Sequence, residues 1–445
     1  MSDASVARTV ERLTEQGIDV VRIGYPDLIG TERGRDILVE RLPEVMEHGV
    51  AFCRAVYHTS PQGDVVPVAG GLDAGLPDIC VKPDLSTLVP LPWEPGVAHC
   101  LGDAHDPTTG ALCPESPRTV LRTAARRLGE LGLTAVIGPE LEYFLMEPDG
   151  SGWKRYDDHP GNVYVAGTKG DRGSHVLRTL RALRGLDIGV TMGNHEFSGG
   201  QFEINLHHSE AVSAADRSFR FKSAIKELAR RDGLRATFMA KPFNDEGGSG
   251  FHAHISCADG EGNNRFDDPA GPYGLSQTAM YAIGGLIAHA PALAALLNPT
   301  INSYKRFGPD TLAPWLIDWG LDNRSAMVRV PPERGAGARL EVRLGDASAN
   351  PYLAVAALLA AVYLGVRDRV EPPPPLEGYG YDTSKAAMLP PDLSTALDAL
   401  EADSGLTEVL GKEFADAFLT YKRDEIRRFS QYVTDWEFIE YGYHL

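Results

Sequence analysis

Along the chain, the spacing of apolar residues alternates between the 3.6-residue period of a helix and the two-residue period of a half-buried strand. Residues 4–16 read as a helix, followed by a strand over 19–25 and a turn at Pro26-Asp27-Leu28-Ile29-Gly30. Short strand-like runs broken by Gly and Pro continue to about Gly102, with a Gly-rich loop over 63–77. This predicts a small α+β domain over 1–105, with a larger unit over 106–445. In the larger unit, Ser116-Pro117 opens a helix with Val120, Leu121, Ala124 and Leu128 among its apolar positions, and Gly132 stops it. Residues 149–173 are polar and Gly-rich and read as a loop, with a helix following to Gly185. Further on come an amphipathic helix over 215–231, a strand over 235–240 and an apolar helix over 275–297 broken at Pro291. Asn350-Pro351 opens the most apolar run, 352–366, which is too short to cross a bilayer and reads as a buried helix. Beyond the Pro372–Pro375 linker the chain is mostly helical.

Polar positions on the strands carry the chemistry. In Gly138-Pro139-Glu140-Leu141-Glu142-Tyr143-Phe144-Leu145, a strand points Glu140 and Glu142 to one face. In 194–206, Gln201, Glu203 and Asn205 alternate with Phe202, Ile204 and Leu206, and Glu196 stands just before them. His252, His254 and Ser256 share a face after the glycine turn at 247–250, and Leu340-Glu341-Val342-Arg343 is a fourth such piece. Any one of these alone fits a solvated strand face or a satisfied core histidine. Five carboxylates and two histidines together are costly to bury unless they converge on cations. An oxygen-dominated set without a suitably spaced cysteine fits Mg²⁺ or Mn²⁺ better than zinc. Arg306, Arg324, Arg329, Arg339 and Arg343 add forked donors for carboxylates and phosphates, and the combination suggests phosphoryl transfer from a metal-bound nucleotide. There is no Walker-A loop, and Gly247-Gly248-Ser249-Gly250 lacks its Lys-Ser/Thr ending.

Charge narrows the partners. A formal net charge of -18 argues against non-specific nucleic-acid or anionic-membrane binding and mildly favours cationic substrates. Five cysteines without CxxC spacing, and an N-terminus without an apolar signal core, point to a soluble cytoplasmic protein with reduced thiols.

The motifs form an ordered set. Gly138-Pro139-Glu140-x-Glu142-x-Phe144, His195-Glu196 with Gly200-Gln201-x-Glu203, and Gly248-Ser249-Gly250-x-His252-x-His254-x-Ser256 come first. Asn302-Ser303-Tyr304-Lys305-Arg306, Asn323-Arg324-Ser325, Arg339-x-Glu341-x-Arg343 and Asn350-Pro351-Tyr352-Leu353 follow. From Asp27-x-x-Gly30 to Val433-Thr434-Asp435-Trp436-Glu437 the chain resembles the glutamine synthetase family of the bacterial type I kind. The resemblance implies an α+β protein: an N-terminal β-grasp domain, then a catalytic domain on a curved antiparallel sheet surrounded by helices. It also implies a dodecamer of two stacked hexamers, with active sites between subunits. By motif matching, Glu142, Glu196 and Glu203 would hold one Mg²⁺ or Mn²⁺, and Glu140, His252 and Glu341 a second, with two or three cations per site. Arg306 and Arg343 would grip the glutamate substrate near the Gly248 backbone. Arg324 and Arg329 would face the phosphate transferred from ATP, and His254, Ser256 and Arg339 would contact the nucleotide. Asp27 would be the aspartate that a neighbouring subunit brings to the incoming nitrogen.

One departure bears on the reaction. Family members that make glutamine carry, just before Ala-Pro in the loop after Asn-Ser-Tyr-Lys-Arg, a glutamate that shields the intermediate and helps deprotonate ammonium. Here Leu312 precedes Ala313-Pro314; a register shifted by two would put Asp310 there instead. Leucine accepts no proton but can pack against the carbon of a larger amine. Asp27 is then the one matched acid for that nitrogen, as general base or cation-binding group. Gly247 replaces a usual asparagine, and the surroundings of Tyr381-Asp382 do not match an adenylylation site. The expectation is an ATP-dependent γ-glutamyl–amine ligase acting on a polyamine, ethanolamine or an alkylamine, in amine catabolism or detoxification. Glutamine synthesis and a non-catalytic oligomer are the alternatives. Asp64, Asp73, Asp78 and Asp310 are loop acids that could line a polyamine channel, and Trp315 or Trp319 could wall the amine pocket or pack in the core.

Overall fold

The computed structural model describes residues 3–157, 159, 162–309 and 311–445. The small N-terminal sheet contains β1 (Val20–Pro26), β2 (Glu32–Leu38), β3 (Val50–Cys53), β4 (Asp78–Pro83), β5 (Val89–Pro90) and β6 (Val97–His105). Their order is β2-β1-β6-β4-β3, with β5 on β6, and β1 runs parallel to β6. Alternation along β1 buries Val21, Ile23 and Tyr25 in one core with Val6 and Leu13 of the helix Asp3–Glu15.

The larger sheet is built on β7 (Thr134–Asp149), whose length lets it pair with several partners. The others are β8 (Gly152–Arg155), β9 (Val190–His195), β10 (Gln201–Leu206), β11 (Ser209–Glu210), β12 (Arg235–Thr237), β13 (Phe251–Ala258), β14 (Trp319–Leu321), β15 (Val328–Val330) and β16 (Leu340–Val342). The main path is β14-β15-β16-β13-β7-β10-β9. Leu141, Tyr143 and Leu145 of β7 are buried in the main core, which they share with Ala215, Phe219 and Ile225 of the helix Ala211–Arg231. The α+β class and the curved sheet surrounded by helices match the expectation.

Local differences have physical causes. The strand expected over 235–240 stops at Thr237, because Gly250 already takes the next backbone donor of β7, at Glu142. Ala240 turns away and accepts from Ser249 instead. The polar stretch expected as a loop contains β8, which pairs with 146–149 as a hairpin. The apolar helix expected over 275–297 is two helices, Gln277–Ala288 and Ala290–Leu297, bent by 75°. Pro291 sits in the first turn of the second helix, where its missing N–H costs nothing.

The apolar helix Pro351–Asp368 is 83% buried inside the protein. It meets the helix Gln277–Ala288 backbone to backbone: a Cβ on Gly285 would lie 2.1 Å from the Ala361 carbonyl oxygen, and one on Gly365 2.2 Å from that of Tyr281. Arg118, 2% exposed, ties the two sheets together. Its guanidinium donates to Asp84 and Asp103 on the small-sheet side and to Asp216 of the helix Ala211–Arg231. At the other end of the chain, the helix Asp435–Tyr441 is closed by a Thr434–Glu437 capping box. Val433, Phe438, Ile439 and Leu445 around it are each at least 74% exposed.

Arg118→Ala would leave Asp84 and Asp103 with Arg122 as their cation, and the buried Asp216 carboxylate with the Tyr352 hydroxyl as its donor. We expect a loss of about 3 kcal/mol or more, read as an earlier urea midpoint. An unchanged midpoint would show that the network contributes nothing to stability.

Candidate active site

Strand register assembles the polar faces into one row. Glu142 stands opposite Glu203, and Glu140 opposite both Asn205 and His252. Glu341 stands opposite His254 on one side and Arg329 on the other. Ligand atoms of Glu140, Glu203 and His252 lie within 4.8 Å of one another, and so do those of Glu140, His254 and Glu341. Glu140 is thus shared by both groups, whereas the expected sets paired Glu203 with Glu142 and Glu196. The carboxylate of Glu142 is held by Gln201 Nε2 at 2.9 Å and the Gly250 amide at 2.8 Å. Glu196 lies in the turn after β9 rather than on a strand, and accepts from Asn194 Nδ2 at 2.8 Å.

The acids strain against one another. Burial pushes the Glu203 carboxyl up to about 9, with the charges of Glu140, Glu142 and Glu196 adding to it. Burial and then Glu142 push Glu196 up to about 7. Burial acts the same way on Glu140, but the neighbouring His252 and His254 imidazoles override it and hold the group well below the usual range. Glu341 likewise resists burial through the charge of Arg343 and then His252, and falls to about 2. A mostly oxygen donor set in which two members are driven toward protonation fits hard divalent cations, which would replace those protons.

Arg339 Nε donates to His254 Nδ1 at 3.1 Å, which leaves the imidazole proton on Nε2, directed at Glu140 Oε1 at 3.0 Å. His252 Nδ1 lies 3.6 Å from Glu140 and 4.0 Å from Glu341. Ser256 is half-buried farther along β13, opposite Val136. Arg329 bridges Asp322 and Glu341, and Arg343 Nη1 donates to the other Glu341 oxygen at 2.6 Å. Arg343 also donates to the Arg324 carbonyl at 3.0 Å and reaches the Leu312 carbonyl at 3.5 Å. The side chain of Arg324 is exposed.

Arg306 is 5% exposed, and its Nη1 is buried without a hydrogen-bond partner. A buried orphan donor of this kind is a place for an anion. Gly248 is required beside it, since a Cβ there would lie 2.4 Å from the Ala240 carbonyl and 2.7 Å from Arg306 Cγ. A Cβ on Gly247 would approach Ser198 Oγ to 3.1 Å, and that hydroxyl accepts from the Gly247 amide.

The remaining candidate residues lie outside this row. Asp27 is fully buried, and its carboxylate is taken by Arg33 at 2.8 Å and by the Ile29 and Thr31 amides. It holds a turn, and burial pushes its carboxyl up to about 6 against the opposing charge of Arg33. Trp319 is 1% exposed and donates to the Pro373 carbonyl, which makes it a core residue. Asp64 and Asp73 are exposed between β3 and β4, Asp78 is exposed at the start of β4, and Asp310 lies outside the described residues. Sequence reading missed Tyr164, a lone tyrosine in a polar loop. Its phenol is pushed up by burial, then by Glu196 and Glu203, and Arg324 acts on it in the opposite sense.

Residues 114–441 match the family described as glutamine synthetase, catalytic domain. The chain belongs to the glutamine synthetase family. It is similar to the glutamine synthetase of Pyrococcus horikoshii, at 38% identity over 95% of this chain and 96% of that one. The glutamine synthetase of Halobacterium salinarum is 33% identical over 96% and 94%. Among solved structures, apo GmaS without ligand superposes with a TM-score of 0.86 at 34% identity, covering 98% of this chain and 99% of that one. A GmaS/ADP complex gives the same TM-score at 35% identity, over 97% and 99%. The chain is therefore an ATP-dependent ligase that forms carbon–nitrogen bonds, in a family that uses divalent metals and glutamate and is oligomeric.

Glu203→Gln should raise the melting temperature of the metal-free protein by relieving repulsion, while shrinking the further rise on adding Mg²⁺. A variant that keeps the full Mg²⁺ increment would remove Glu203 from the cation site.

Proposed function

We propose that the chain is an ATP-dependent γ-glutamyl–amine ligase. The observation that carries this reading is Leu312, whose side chain is 43% exposed and whose backbone lies within reach of the Arg343 guanidinium. Ammonium-using members carry an acid at that place. Leucine gives neither a proton acceptor nor a counter-charge for NH₄⁺, but it offers alkyl surface to an amine that carries carbon.

In the proposed reaction a γ-carboxylate oxygen of glutamate attacks the γ-phosphorus of ATP, and ADP leaves. The amine nitrogen then attacks the acyl carbon of the γ-glutamyl phosphate. Inorganic phosphate departs, the nitrogen loses one proton and a γ-glutamylamide remains. Divalent cations held by Glu140, Glu142, Glu196, Glu203, His252 and Glu341 would supply charge neutralisation for the phosphate oxygens. Arg306, with its orphan Nη1, and Arg343 grip the glutamate against the Gly248 turn. Arg324 and Arg329 face the transferred phosphate, and His254, Ser256 and Arg339 meet the nucleotide. The dense acid row supports a catalytic chain over a purely structural one, since such repulsion has no use in an inert oligomer. Assembly of several copies, which the family resemblance extends to a dodecamer, is supported by the uncovered apolar surface of the C-terminal helix, which fits a second copy of this chain.

Phosphate release with glutamate, ATP and Mg²⁺ should be seen with one or more of putrescine, spermidine, ethanolamine and simple alkylamines, and much less with ammonium. Release with ammonium alone would favour glutamine synthesis, the reading that the curated relatives' names support. Leu312→Glu is expected to shift the amine-to-ammonium rate ratio toward ammonium by roughly tenfold or more. An unchanged ratio would show that Leu312 does not set nucleophile choice.

A further inference from the structure

Two polypeptide segments meet at the Arg343 guanidinium, which donates to the Leu312 and Arg324 carbonyls. One carries Leu312 and Ala313, the other Asn323, Arg324 and Ser325. A third segment, 376–381, is bonded to both. Tyr381 donates its hydroxyl to the Ala313 carbonyl at 2.9 Å. The Gly380 amide donates to Ser325 Oγ at 2.8 Å, and Asn323 Nδ2 donates to the Gly378 carbonyl at 2.6 Å. The Leu376 amide closes onto the Trp319 carbonyl at 2.7 Å. The Tyr381 ring is itself braced edge-on by Tyr379, with centroids 4.8 Å apart.

The loop being held has an unfavourable backbone. Leu312 sits at φ 59°, in the left-handed region that a leucine rarely adopts. Such a conformation persists only where neighbours over-determine it. Among the described residues, the contacts that do so include Tyr381 on the Ala313 carbonyl, Thr311 Oγ1 on the Gly308 carbonyl and the longer reach of Arg343 to the Leu312 carbonyl. Arg343 would be engaged by the substrate carboxylate during turnover, so the tyrosine is a support that the reaction does not compete for. The same strap holds the Arg324 segment through Ser325 and Asn323, so one element sets the spacing between the proposed phosphate-facing arginine and the Leu312 segment.

We propose that Tyr381 is a positioning residue for the second half-reaction. Its hydroxyl keeps Leu312 placed over the acyl phosphate so that the amine, rather than water, reaches the acyl carbon. This rests on the ligase reading above but not on the identity of the nucleophile, and the test is the same for ammonium and for an organic amine. If the strap loosens, water attacks the γ-glutamyl phosphate. Glutamate and inorganic phosphate are then released, and ATP is consumed without amide.

The test is the ratio of phosphate released to amide formed, measured on the purified full chain. The nucleophile is whichever amine, or ammonium, supports turnover of the unsubstituted protein. That protein should give about one phosphate per amide. Tyr381→Phe, which keeps the ring and its brace, should raise the ratio roughly twofold or more and the KM for the nucleophile roughly fivefold, with the KM for glutamate and ATP little changed. Asn323→Ala, at the other end of the strap, should act in the same direction with a smaller effect, which keeps the idea testable if the tyrosine variant folds poorly. A ratio and a nucleophile KM that stay at the unsubstituted values in both variants would overturn the proposal. No amide from the unsubstituted protein with any nucleophile would instead sink the ligase reading beneath it.

Discussion

Like-charge repulsion across a single sheet is the constraint that organises this protein. Glu140, Glu142, Glu203 and Glu341 are placed by strand register, where the backbone ladder leaves them no freedom to separate. Each therefore has its own answer to the neighbouring charge. Glu142 is held by amide donors, Glu341 by two guanidinium groups, Glu140 by two imidazoles, and Glu203 is pushed toward its neutral form. The rest of the fold makes that arrangement rigid. β7 is anchored behind by Leu141, Tyr143 and Leu145, and the helix Pro351–Asp368 fills the interior beyond it. A softer scaffold would let the acids drift apart and lose any hold on a cation.

The arginines have a double allegiance. Arg329 and Arg343 both sit on Glu341, yet both occupy positions matched to substrate-facing roles. Charge neutrality within the row connects these states: when a cation satisfies Glu341, the guanidinium groups need it less and have donors to spare for anionic substrate oxygens. The same acid would then serve as a parking place and as a ligand, and metal loading would prepare the arginines for their next partners.

Much of this was readable from the chain, for a reason rooted in strands. A period of two is enough to say that Glu140 and Glu142, or His252 and His254, share a face, and the observed registers join these faces into one row. What period cannot give is the sharing of ligands between strands. The alignment of β10 against β7 places Glu203 beside Glu140 as well as Glu142, and motif order carries no distance. Asp27 shows a second limit: its full burial against Arg33 in a turn is invisible in the sequence, where a turn-holding aspartate and any other are the same letter. Tyr164 and Tyr381 were opaque for the opposite reason. Each lies in an irregular segment, and the groups that give it a role, Glu196 and Glu203 for Tyr164 and Ala313 for Tyr381, come from far away in the chain. Helix breaks also needed three dimensions, since Pro291 serves equally well to interrupt one helix or to begin another.

The uncovered C-terminal helix has a consequence for how the protein behaves in dilution. Val433, Phe438, Ile439 and Leu445 face outward from a segment that is well capped but has little beneath it. If a second copy covers this surface, folding of the tail and association are one equilibrium, and its midpoint moves with protein concentration. Below the concentration at which copies meet, the tail would present a sticky apolar end to the solvent. Handling losses and ageing of dilute stocks would then originate at the last dozen residues, far from the acids that define the reaction.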